Sequence, residues 1–219
     1  MKQMIVLLLF CIIWLSYVNL TKLNWLVCAT MIAEWSFNSP ENLKFLQKSY
    51  PEITLANIGA SELKNISDEI GSALVYYGND LMKVYDLVKE GDLTEIKKVH
   101  KIIDAEIMKS VSRYNKEAEF YPEKNLYFGY FNPKFHLVSP ISTIVSRQDS
   151  NKIYIFASDT ENNMIKISAR NQSGKEDVNL LMKKGINGLI GAIAGGHQKA
   201  AAGSIRKQDL NKFKENILR

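Results

Sequence analysis

Nine residues near the end of the chain, Gly195-Gly196-His197-Gln198-Lys199-Ala200-Ala201-Ala202-Gly203, restrict its fold more than any other stretch. Two adjacent glycines let backbone amides approach a ligand, because no Cβ stands in the way. His197 follows and offers an anion a hydrogen bond or a charge. The small residues after it tolerate only a close-packed backbone. This composition fits a loop that cradles a phosphate or the sugar-phosphate of a nucleic acid. An Ala/Gly helix-packing turn that happens to hold a histidine fits it equally well. The nine residues alone leave both open.

The flanking sequence adds an order of elements. Met164 to Arg170 alternates and ends in arginine, which predicts a strand. A polar turn from Asn171 to Gly174 follows, then an amphipathic helix through Val178, Leu180, Leu181 and Met182. Gly203 to Arg206 reads as a short strand. Lys207 to Leu218 reads as a closing helix with Leu210, Phe213, Ile217 and Leu218 on one face. Earlier, Asn125–Phe131 and Lys152–Ala157 read as strands, and Ser139-Pro140 opens a helix through Ile141, Ile144 and Val145. Tyr127, Phe128, Tyr130 and Phe131 suggest a base-stacking platform, but strand alternation sends two of the four into a core. Charge is unevenly placed. Residues 1–150 hold 16 basic and 17 acidic groups, whereas residues 151–219 hold 12 basic and 6 acidic ones. The positive excess therefore falls in the segment with the Gly-Gly-His run and favours a polyanion partner.

Two motifs in this order, Ser168-x-Arg170 at a strand end and Gly195-Gly196-His197-x-x-Ala200-Ala201 after a helix, resemble the DHHA1 domain. That domain is the nucleic-acid-binding C-terminal domain of the DHH phosphoesterases and RecJ nucleases. The resemblance covers roughly residues 120–219. Ala202 stands where the family has glycine, with Gly203 one place later, which alters the exit of the loop. The resemblance implies an α/β fold: a helical remnant of a DHH domain and connector helices, then a mixed sheet flanked by helices. It implies a nucleic-acid site in which Arg170 pairs with phosphate, as an arginine fork allows. Ser168 belongs to the same motif. Gly195, Gly196 and His197 would hold a neighbouring phosphate. Lys166, Lys199 and Arg206 would add attraction that ignores base sequence.

Catalysis in the DHH family needs metal ions held by aspartates and by the adjacent histidines of Asp-His-His. This chain has three histidines, His100, His136 and His197, and no two are adjacent. His100 lies in a lysine-rich stretch and reads as a solvated helix position. His136 reads as structural, near a strand-to-helix turn. Asn24 to Trp35 looks like the last DHH motif with Glu34 at its acidic position, and one carboxylate cannot hold a metal pair. The expectation is no catalytic residue, no metal site and no cofactor.

The N-terminus admits more than one reading. Lys2 precedes twelve apolar residues, Met4–Leu15. That resembles a signal peptide, although no Ala-x-Ala site follows. The run is short for a membrane span, which needs about 20 residues. The family resemblance adds a buried helix, expected over Met4–Thr21 with Ile5, Leu8, Leu9, Ile12 and Ile13 packed on protein. A second apolar element, strand or helix, spans Leu23–Ala33. Ser39-Pro40 starts a helix that runs to about Lys48. Residues 61–121 read as almost wholly helical. Leu63, Ile66, Ile70, Leu74 and Tyr77 form one stripe, ended by Gly78. Leu81, Val84, Leu87 and Val88 form a second, ended by Gly91. A long helix then carries Ile96, Val99, Ile102, Ile103, Ile107 and Val111, with lysines on its other face. The expected division is 1–57 DHH remnant, 58–120 helical connector and 121–219 DHHA1-like domain. Cys11 and Cys28 lie in apolar stretches and imply no disulfide framework, in keeping with a reducing, cytoplasmic setting.

By resemblance, such a chain is a non-catalytic RecJ-like protein of the replication machinery. Its implied partners are GINS subunits, the MCM helicase through them, and single-stranded DNA, with no membrane contact. The alternative is a subunit of an active DHH phosphodiesterase or single-strand exonuclease. That reading requires manganese or magnesium and a partner carrying Asp-His-His.

Overall fold

The computed structural model describes residues 24–78, 80–90 and 93–219. The expected helix over Met4–Thr21, Cys11 and the Gly91 helix stop lie outside those residues. The chain forms two compact units, divided between Ile102 and Ile103.

In the first unit, the apolar element is a helix, α1 (Asn24–Ala33), with Val27, Cys28, Met31 and Ile32 buried. Trp35 adopts a left-handed conformation, φ 56°, just after it. Helix α2 (Pro40–Ser49) starts at the Ser-Pro signal and buries Leu46. Ser39 does not cap an amide with its side chain; its hydroxyl donates to Glu41 at 2.6 Å. Helix α3 (Glu62–Tyr77) has a working cap, because Ser61 Oγ accepts from the Lys64 amide at 3.2 Å, and it ends at Gly78 with φ 58°. The expected stripe on α3 is only partly the inner face. Leu63 is buried but Leu74 is exposed, and the other buried positions are Ser67, Ser72 and Ala73. Helix α1 packs against α3. Helix α4 (Leu81–Glu90) buries Val84 and Leu87 and leaves Leu81 exposed. Ile96 and Val99 of helix α5 (Leu93–Glu117) are buried as expected, whereas Ile102 is exposed. His100 is not solvated as expected: it is half-buried, and its Nδ1 shares a hydrogen bond with Ser72 Oγ at 2.9 Å.

The second unit is built on a six-stranded sheet in the order β1-β2-β3-β4-β6-β5. Its strands are β1 (Glu119–Tyr121), β2 (Leu126–Tyr130), β3 (Ile153–Thr160), β4 (Met164–Arg170), β5 (Ile193–His197) and β6 (Ala200–Arg206). The helical reading of 61–121 therefore stops short: α5 ends at Glu117 and residues 119–121 are an edge strand. Only β2 and β3 pair in parallel. A parallel pair needs a crossover, and α6 (Val138–Ser146) supplies it, packing on β3 and β4. One face of the sheet carries Leu126, Phe128, Ile155, Ile165, Ile167, Ala201 and Ile205. Against it lie Val178 and Met182 of α7 (Val178–Gly185) and Phe213 and Ile217 of α8 (Leu210–Leu218), all in one core. Phe128 and Phe131 are buried while Tyr130 is exposed and Tyr127 half-buried, so two of the four aromatics are core as expected, but not on one alternating face: Phe128 joins the core under α7 and α8, and Phe131 packs edge-on to Tyr114 and Phe156. On the opposite face, the Tyr114 ring stacks on Phe156 at 4.3 Å, and its hydroxyl donates to the Ile155 carbonyl at 3.0 Å. A Cβ on Gly129 would sit 2.3 Å from that ring, so glycine is required there.

Candidate nucleic-acid interface

The Gly-Gly-His run is a hairpin and not a loop. Gly195–His197 belong to β5 and Ala200–Gly203 to β6, with Gln198-Lys199 as the turn. Each glycine has a separate reason to be there. Gly196 has φ 152°, and a Cβ on it would lie 2.5 Å from the Ala200 carbonyl oxygen. A Cβ on Gly203 would meet the Ile193 carbonyl oxygen at 2.7 Å, whereas one on Gly195 would meet nothing within 4 Å. Close backbone packing thus explains Gly196 and Gly203. Gly195 faces open space.

Strand register decides which side chains meet. Arg170 pairs with Ala200, and Ala200 with His197; Ser168 pairs with Ala202, and Ala202 with Gly195. Lys166 pairs with Ser204, and Met164 with Arg206. Residues directly opposite in antiparallel strands share a face. Lys166, Ser168, Arg170, Gly195, His197 and Arg206 therefore lie on one face, the one turned away from the α7–α8 core. Gly196 pairs with Ala201 and belongs to the core face, and Lys199 sits in the turn. Within this set Lys166, His197 and Arg206 are exposed, Arg170 is half-buried and Ser168 is buried. An open groove of about 460 Å³ runs over Lys166, Gly195, Ala202 and Ser204, with Thr160 and Ile193 beside them.

Arg170 is held in an unusual electrostatic setting. Its Nη1 donates to the Ala169 carbonyl at 3.0 Å, and no described carboxylate pairs with it. Burial pulls its guanidinium below its ordinary pKa, though far from neutrality.

Residues of the polar turn, Asn171 to Gly174, hold the site in shape. Asn171 is fully buried; its Nδ2 donates to the Lys152 carbonyl at 3.1 Å and its Oδ1 accepts from Ser173 Oγ at 2.9 Å. The hairpin turn is fixed from below. The Asn171 amide donates to the Lys199 carbonyl and the Val178 amide to the Gln198 carbonyl, both at 3.0 Å. Gln198 Nε2 donates to the Gly174 carbonyl at 2.7 Å. The methylenes of Lys199 pack over Gly174, where a Cβ would come within 2.9 Å of them. Gln172 Nε2 donates to Ser146 Oγ of α6 at 2.7 Å. These bonds follow the polar turn that composition identified, but apart from Ser173 the partners lie 19 or more residues away in sequence, beyond the reach of local reasoning.

The other candidates stand apart. His136 is exposed ahead of α6, and Glu34 is half-buried after α1. Among the described residues, no three His, Cys, Asp or Glu side chains gather in a manner that could hold a metal ion.

The DHHA1 domain family matches residues 135–219, which span α6, β3, β4, α7, β5, β6 and α8. No curated protein matches the chain. Among solved structures, RecJ from Thermus thermophilus in complex with Mn²⁺ superposes with a TM-score of 0.60 at 13% identity, over 89% of this chain and 32% of RecJ. Its Mg²⁺ complex gives the same score at 14% identity, over 89% and 33%. The DHH domain of a member of the s1p family of ribosomal proteins gives 0.56 at 14% identity, over 90% of this chain and 51% of that one. The chain thus spans about a third of RecJ's length and shares its fold, and its residues 135–219 match the DHHA1 domain family. Among the described residues no helix is long and apolar enough to cross a membrane.

Proposed function

We propose that the chain is a non-catalytic, RecJ-like nucleic-acid-binding scaffold of the DNA replication machinery, joined to GINS and through it to the MCM helicase. One observation carries the nucleic-acid part: Arg170 is half-buried with no described carboxylate paired to it, on the same face as Lys166, His197 and Arg206, which also holds a groove floored by small residues. Single-stranded DNA would lay phosphates against Arg170 and His197. Lys199 at the turn, Lys166 and Arg206 would add attraction independent of base sequence. Ser168 would act from beneath, as part of the strand that sets Arg170. Gly195 would leave the groove unobstructed, and Gly196 would shape the hairpin.

The absence of catalysis rests on the sequence, where three scattered histidines and one remnant carboxylate, Glu34, replace the family's metal-binding set. The partners and a cytoplasmic setting rest on the resemblance to GINS-associated RecJ-like proteins. Affinity purification from the native host tests the assembly, and GINS subunits are expected to co-purify. Incubation of the isolated chain with single-stranded DNA and Mn²⁺ or Mg²⁺ tests the chemistry. Cleavage that co-purifies with the chain and is lost in Glu34→Ala would establish the alternative, a metal-dependent phosphodiesterase.

A further inference from the structure

The face that carries Arg170 continues past it. Residues paired across the six strands fall in a single row: Phe120 with Tyr127, Tyr127 with Tyr154, Tyr154 with Arg170, Arg170 with Ala200, and Ala200 with His197. Five strand spacings of about 4.8 Å make the row about 24 Å long. Its first half is a stack of rings. Phe120 and Tyr127 lie 4.5 Å apart at 29°, and Tyr127 and Tyr154 lie 5.5 Å apart at 10°. Lys152 Nζ sits 5.4 Å from the centre of Phe120 and 5.1 Å from that of Tyr127. Tyr154 is buried, Tyr127 half-buried and Phe120 43% exposed. The stack thus opens outward and ends in a free ring at the edge of the sheet. The residues of the row itself include the cation Arg170 and the imidazole of His197, and no carboxylate. Asp149, 3.5 Å from Lys152, is the acid beside it.

We propose that the two open ends of this row hold one unpaired polynucleotide, which passes outside the buried Tyr154. A base adds to the free end of the Phe120–Tyr127–Tyr154 stack. Lys152 meets a phosphate at that end, and Arg170 and His197 meet phosphates at the other. An exposed ring with cations at either end of the row suits an unpaired strand, because every base has a π-face and every nucleotide a charge. A duplex does not fit, since its bases are already stacked on each other. The inference rests on the polyanion reading of Arg170 and His197, and adds to it a base contact that those residues do not make.

The test uses the full chain and two labelled strands of about 16 nucleotides, the upper end of a single binding site. One is all thymidine and the other is abasic, with the same phosphates. The parent is expected to bind the thymidine strand about tenfold more tightly than the abasic one, as stacking of a base on an aromatic ring provides. Phe120→Ala should remove most of that preference while abasic binding and its salt slope stay as in the parent. Phe120→Trp should restore the preference, and indole fluorescence beyond that of the parent should be quenched by the thymidine strand alone. Thermal melts check that both variants fold. Equal affinity of the folded parent for the two strands, unchanged in Phe120→Ala, would overturn the proposal and leave the phosphate reading intact. Failure of the folded parent to bind either strand would overturn both.

Discussion

Among single residues, the two adjacent glycines separate fold from function. Gly196→Ala puts a Cβ 2.5 Å from the Ala200 carbonyl oxygen at φ 152°. It should destabilise the second unit by about 1–3 kcal/mol, the usual cost of a strained backbone position. Gly195→Ala meets nothing within 4 Å, so its stability should stay within about 0.5 kcal/mol of the parent. Its binding to single-stranded DNA should nevertheless weaken, because the new methyl fills the groove. Chemical denaturation and a binding titration on the same two variants check the contrast. Cys28 yields a pH prediction for the first unit. Burial pushes its thiol up to about 11, against about 8.5 for an unfolded cysteine. A raised folded pKa means that the native state holds the proton more tightly. The associated stability is complete below about pH 8.5 and is lost as pH rises through about 11. Urea midpoints measured across that window should fall in the parent, and fall less steeply in Cys28→Ala.

Elements explain what was legible in the sequence and what was not. Strand β4 could be read to the residue because Ile165 and Ile167 alternate with polar neighbours between clear turns. The start of α2 and the end of α3 were equally plain, since Ser39-Pro40 and Gly78 act through local backbone geometry. The Gly-Gly-His hairpin was not legible. Glycine and alanine carry no hydrophobic period, and what makes this run a strand is a neighbour, β4, paired along its whole length with β6. The stripes on α3, α4 and α7 failed at Leu74, Leu81 and Leu180, all exposed, because periodicity marks a face without saying how much of it is covered. Of the site, the motif residues could be named from sequence. Their shared face, the buried Asn171 support and the aromatic row depend on register between strands far apart in the chain. Tyr114 shows the same dependence. It anchors the second half of α5 to the sheet through a hydroxyl that donates to Ile155 and, at 3.3 Å, to Tyr127. Tyr114→Phe keeps the ring stack and loses these bonds, which should cost about 1 kcal/mol. A lower denaturant midpoint with an unchanged slope would show it.

For the molecule as a unit of function, charge and fold coincide. The 12 basic and 6 acidic groups of residues 151–219 fall in the segment that contains β4, β5 and β6 and most of the DHHA1 match. The first unit has its own apolar core around Cys28, Phe37, Leu46 and Leu63. What the proposed function depends on most is that a half-buried Arg170, paired with no described carboxylate, binds single-stranded nucleic acid. The salt dependence of single-stranded DNA binding by the full chain, set beside that of Arg170→Ala, tests this. Affinity should fall steeply with salt in the parent. Arg170→Ala should bind more weakly by about 1–3 kcal/mol, equally for different base sequences, with a salt slope reduced by about 1. Equal affinity and equal slope in the two proteins would refute this role for Arg170, and would leave the Gly-Gly-His hairpin as a feature of the fold with no ligand of its own.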